Sequence, residues 1–278
     1  DAERVAALAR EMVAQVTLRP RVAVVAFAWP SDLERRVAEA LVSPDEQARL
    51  QAYAERAASL AEHLAREAGP GAAVPLTRLM PPLFALAQQR SADGQPAAAE
   101  NRAALLVLAL LANGRGLQAL APDGRASAPI QITLAGRTDT PKHYLVSAAL
   151  AIEGGSRLSD VVGLYKEVSD ARFGSGFSFN DLAADRAGTR FGLLAMQSPE
   201  ALQHRLAAGI DEADLLPPIA DLPEDLHDPQ FRRRIGGLGS PEYRRLVEDI
   251  ERRLDTLPLL TAQRDGAAAG EPGERPRR

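Results

Sequence analysis

Three times in this chain a serine, a proline and an acidic residue stand in front of a helix-spaced run: Ser43-Pro44-Asp45-Glu46, Ser198-Pro199-Glu200 and Ser240-Pro241-Glu242. A serine in that place can accept from the first unpaired backbone amides. Proline suits the first helical turn, where its missing N–H is not needed, and an acidic side chain favours the positive end of the helix dipole. Glu46 completes a capping box with Ser43. These starts commit much of the chain to helix. The first is predicted to run to about Ala68 and to stop at Gly69-Pro70-Gly71. The last sets Tyr243, Leu246, Val247, Ile250 and Leu254 on one side.

The composition agrees. Alanine and leucine dominate and aromatics make up 4% of the 278 residues, which favours helix packing through small side chains. The spacing predicts helices over residues 2–16, with Val5, Leu8, Met12 and Val16 on one face, and over 33–42. A helix is predicted over 76–89 with an interruption near Pro81-Pro82, and another over 97–112, the most apolar of all. The Val-rich run 22–28 and the alternating run 130–134 read as strands of one small β element. The expected fold class is mainly α, an irregular multi-helix bundle with at most a small β element. Residues 1–263 form a single domain with a weak boundary near 113–129, and 264–278 form a disordered tail.

Several function classes drop out. The chain has no cysteine, so disulfides, thiolate nucleophiles and Cys-ligated metals are excluded. The formal charge is −4 and no long basic block occurs outside the tail, which speaks against a nucleic-acid surface. The longest apolar run, Ala103 to Ala112, falls short of the ~20 residues a membrane-spanning helix needs. Arg232-Arg233-Arg234 could meet a phosphate, but a solvent-facing helical turn accounts for it. Glu100-Asn101-Arg102 reads as an acidic first turn with a locally paired arginine rather than a ligand contact. His63 reads as a surface residue, and His204 and His227 carry no assigned role. The chain begins at Asp1 without methionine. Either a longer chain was cut or a leader or lipid anchor upstream was removed, and the second case would mean export.

Ionisable residues concentrate between Asp139 and Gly192. Thr140 can cap a helix that Pro141 starts, which puts Lys142 and His143 in its first turn and Ser147 on the face of His143. A second short helix carries Glu167 and Asp170 on one face. Gly174-Ser175-Gly176 leads into a third, capped by Ser178, where Asp181 and Asp185 share a face that Gly188 and Gly192 continue without side chains. The three make a hairpin-like unit. If the faces converge, His143 and Glu167 are the catalytic acid/base candidates, and Asp170, Asp181 and Asp185 the ligand-binding or orienting groups. A divalent metal such as zinc or manganese is a second chemistry for this set. The alternative is a buried polar network that locks three helices together and turns over nothing.

The pattern Asp139-x-x-Lys142-His143, Lys166-Glu167-x-x-Asp170 and Gly-Ser-Gly-Phe-Ser-x-x-Asp181-x-x-x-Asp185-x-x-Gly188 resembles that of YfiM-type bacterial envelope lipoproteins. More distantly it is similar to the VanZ-like membrane family. The resemblance covers residues 139–192 alone. Two departures separate it from the VanZ-like pattern: the helices here are too short to span a membrane, and Asp185 stands where that pattern has asparagine. The resemblance implies a bacterial cell-envelope setting, periplasmic or outer-membrane associated, and supplies no reaction. The expected protein is therefore an exported envelope protein with a His/carboxylate site, a hydrolase or a divalent-metal-binding protein. Its partner would be an envelope component or another protein, with no nucleic acid. The alternative is a non-enzymatic envelope binding or scaffold protein.

Overall fold

A computed structural model describes residues 43–69, 73–114, 130–154 and 176–261, together with two strands nearer the N-terminus. Those strands, β1 (Val13–Arg19) and β2 (Val22–Phe27), pair antiparallel, with Arg19 opposite Val22. The expectation of helix through Val16 is corrected here: residues 13–19 form a strand whose register against β2 is irregular between Val13 and Gln15 and regular from there to Arg19. Residues 2–12 and 33–42 lie outside the described residues, as does the expected tail. A second pair, β3 (Ala73–Pro75) and β4 (Gln131–Thr133), is parallel. Both runs expected as strands are strands, but each pairs with a segment other than the one anticipated.

The remainder is helical, and the fold is mainly α. In chain order the described helices are α1 (Pro44–Ala68), α2 (Leu76–Ala92), α3 (Ala97–Ala112), α4 (Thr140–Gly154), α5 (Phe179–Gln197), α6 (Pro199–Ala207), the single turn α7 (Glu212–Leu215), α8 (Asp228–Ile235) and α9 (Pro241–Leu254). The predicted serine caps form at α1 and α9: Ser43 Oγ accepts from the Glu46 amide at 3.2 Å, and Ser240 Oγ from the Tyr243 amide at 3.1 Å. At α6, Ser198 occupies the cap position without a side-chain cap bond. The interruption expected at Pro81-Pro82 does not occur, and α2 runs through both prolines. Leu79, Met80, Leu83 and Phe84 around them are fully buried, and their burial outweighs the backbone bonds that two prolines forgo.

One hydrophobic cluster runs from Leu50 in α1 to Leu259 beyond α9. Helix α3 lies inside it and is apolar nearly all round, as a helix surrounded by others must be. Glu100 and Asn101 within it are buried too. Glu100 has no exposed surface and accepts from Arg49 Nε at 2.7 Å, Arg90 Nε at 2.7 Å and the Tyr53 hydroxyl at 2.9 Å, so one carboxylate ties α1, α2 and α3 together. Burial and the charge of Glu100 push the Tyr53 phenol above its ordinary range. Asn101 donates to the carbonyls of Ala195 and Pro199 and accepts from Gln203, which fixes α3 against the α5–α6 corner. Arg102 pairs with Glu46 and Glu153 on other helices. The acidic first turn expected at 100–102 is present, with Glu100 in it and fully buried; the local pairing expected for Arg102 is corrected, since its partners lie on other helices.

Candidate functional site

Helices α4 and α5 share the most extensive helix–helix interface among the described elements. Two glycines set how close they come. A Cβ on Gly188 would overlap the carbonyl oxygen of Tyr144, and one on Gly192 would overlap that of Ala148. Backbones meet this closely only where one side chain is missing, the arrangement of small-residue helix pairs. The contacts advance together along both chains, from His143 opposite Asp181 and Asp185 to Ala148 opposite Gly192, so the helices run in the same direction. The second helix of the expected three-helix unit lies outside the described residues.

Both helix starts are pinned to the same connecting segment. Asp139, not Thr140, occupies the cap of α4: its carbonyl accepts the amide of His143, and its Oδ1 accepts the amide of Thr140 at 2.8 Å. Arg137 holds the Asp139 carboxylate through Nε and Nη2, and its Nη1 reaches Glu224 at 2.7 Å. That guanidinium, aided by the Thr140 amide, lowers the Asp139 carboxyl to about 2. At α5, Ser178 Oγ accepts the amide of Asp181 at 3.1 Å as the sequence predicts. Phe177 and Leu226 exchange both backbone hydrogen bonds, and the Phe179 amide donates to the Pro223 carbonyl. Residues 223–226 therefore fix the first turns of α4 and α5 relative to each other.

Those first turns carry the cluster. His143 Nδ1 lies 3.1 Å from Asp185 Oδ1, and Nε2 lies 3.3 Å from Asp181 Oδ2. The Ser147 hydroxyl donates to the same Asp185 oxygen at 2.9 Å. The side chains of His143 and Asp185 are each 8% exposed and that of Asp181 14%. The His143 ring thus lies between two carboxylates of α5, and which nitrogen donates depends on its tautomer. The second oxygen of Asp185 is buried and accepts no hydrogen bond from a described residue.

The structure thus brings together three of the five predicted site residues, His143, Asp181 and Asp185. The other two, Glu167 and Asp170, lie outside the described residues. Asp181 serves twice, its backbone in the cap of α5 and its carboxylate on His143. Asp185 does not pair with the arginines next to it: Arg186 and Arg190 reach across to Glu251 and Asp255. Ser147 joins the cluster through the spacing that placed it on the face of His143. Among the described residues, no group of three His, Cys, Asp or Glu side chains is arranged to hold a metal ion. No described helix is long and apolar enough to cross a membrane. A cleft of about 500 Å³ opens where the end of α2 meets the starts of α3 and α6, lined by Gln88, Ser91, Gln95, Gln203 and His204 among others. None of the His143 cluster lines it.

Comparison with protein-family models, with curated proteins and with solved structures returned no match.

Proposed function

We propose that the chain is a non-enzymatic binding or scaffold protein of the bacterial cell envelope, in which His143, Asp181 and Asp185 lock α4 to α5. The observation that carries this reading is that both ring nitrogens of His143 are taken up by carboxylates of one neighbouring helix, in a largely buried place. A general base or a metal ligand needs one nitrogen turned towards its substrate or ion. The close backbone approach at Gly188 and Gly192 supports the same reading, because the polar cluster sits at the leading end of that tight contact. The envelope setting comes from the sequence resemblance over 139–192.

A specific observation favours the rival reading, a His/carboxylate acid–base site of a hydrolase: the buried Asp185 oxygen that accepts no hydrogen bond from a described residue. Such an atom costs stability unless a ligand, a water or a proton answers it. Thermal unfolding of His143→Ala separates the two. Removing a hydrogen-bond partner from a buried carboxylate costs about 1–3 kcal/mol, so the lock predicts a clear fall in Tm. A catalytic site tends to be held at the expense of stability, so a variant as stable as the parent would contradict the lock.

A further inference from the structure

The turn between α8 and α9 combines features that the lock does not use. Helix α8 buries Phe231 and Ile235, one turn apart, which leaves Arg232, Arg233 and Arg234 to fill its exposed arc. Gly236, Gly237 and Gly239 all take positive φ, and the Ser240 hydroxyl donates back to the Ile235 carbonyl. This closes the turn at its base and leaves Leu238 at its tip. Leu238 is 49% exposed, more than Val146 and Met196, the other large apolar side chains exposed among the described residues. Arg244 and Arg245 follow in the first turn of α9, both exposed. Arg232 is answered by Asp228 and Arg245 by Glu242. Arg233, Arg234 and Arg244 form no ion pair with a described carboxylate.

We propose that this turn is a docking surface for an anionic lipid bilayer, with Leu238 entering the acyl boundary and Arg233, Arg234 and Arg244 meeting headgroup phosphates. Guanidinium groups match phosphate oxygens in pairs, and an apolar side chain ringed by arginine is the pattern of interfacial binding. A nucleic acid offers the same phosphates but no apolar phase for Leu238, which decides between the two. The inference does not rest on the role of His143.

The test is sedimentation of the whole chain with vesicles of phosphatidylcholine alone and of phosphatidylcholine mixed equally with phosphatidylglycerol. Binding is expected to the mixed vesicles and to fall with added salt. Each arginine at an anionic surface is worth roughly five-fold in partitioning, so the triple variant Arg233→Gln/Arg234→Gln/Arg244→Gln should lose on the order of a hundred-fold. Leu238→Ser should weaken binding without changing its salt dependence. Leu238→Trp in a Trp29→Phe background should show blue-shifted emission with the mixed vesicles only. Arg233, Arg234, Leu238 and Arg244 are exposed, and unchanged circular dichroism would show that the variants fold. Equal binding to both vesicle types, no binding to either, binding untouched by the triple variant, or tighter arginine-dependent binding to an oligonucleotide would each overturn the proposal.

Discussion

The carbonyl oxygen of Tyr144 fills the space that a side chain on Gly188 would need. The neighbouring atoms are backbone, which cannot turn aside as a flexible side chain can. In the middle of a helix, alanine normally stabilises over glycine by about 1 kcal/mol. Gly188→Ala should do the reverse and lower stability by about 1–3 kcal/mol or more, as overpacking does. Urea unfolding monitored by circular dichroism reads the sign directly. A stabilised variant would mean that the two helices are not this close.

The carboxylate of Glu100 is the next point of leverage. Glu100→Gln leaves the Arg49 and Arg90 guanidiniums without their shared counter-charge, with Arg49 largely buried. The expected loss is about 3–5 kcal/mol, the cost of breaking a buried pair from one side. Tyr53→Phe removes a single hydrogen bond to a charged acceptor and should cost less, about 1.5–3 kcal/mol. Denaturant midpoints of the two variants give the comparison. A milder effect for Glu100→Gln than for Tyr53→Phe would contradict this account.

Acid should unfold the protein partly through Asp139 and Asp221. Arg137 lowers the first carboxyl to about 2 and Arg253 lowers the second to about 2. A carboxyl held low in the folded state contributes its full stability above the unfolded value of ~3.9, and that contribution disappears as pH falls towards the folded value. Asp139→Asn should therefore flatten the fall of Tm between about pH 4 and pH 2, leaving a lower plateau at neutral pH. The effect at Asp221 should be smaller, because its side chain is 65% exposed and solvent screens the pair. A profile of Asp139→Asn parallel to the parent's would contradict the role given to the Arg137 pair.

Local signals carried well from sequence to fold. The serine caps at Ser43, Ser178 and Ser240, the stop at Gly69 and the bounds of α3 are all set by neighbouring residues, and all were readable. The strand β1 was hidden because Val5, Leu8, Met12 and Val16 also fit a helical spacing, while the alternation in 15–19 needs β2 as a partner to matter. The burial of Glu100 was not readable: two of its three donors, Arg49 and Tyr53, stand 51 and 47 residues away, and nothing beside Glu100 announces them. The pairing of His143 with Asp181 and Asp185 was half legible. Face and spacing brought the residues into view. The parallel course of α4 and α5, and the close approach that Gly188 and Gly192 allow, bring them together.

The central claim is that His143 and Asp181 hold two helices together. A double-mutant cycle of His143→Ala and Asp181→Ala, measured by urea unfolding near neutral pH, tests it most directly. The account predicts a coupling of about 1.5–3 kcal/mol, the size of a hydrogen bond to a charged group. Losses that simply add, to within about 0.5 kcal/mol, would show that the two residues act independently and would contradict the lock.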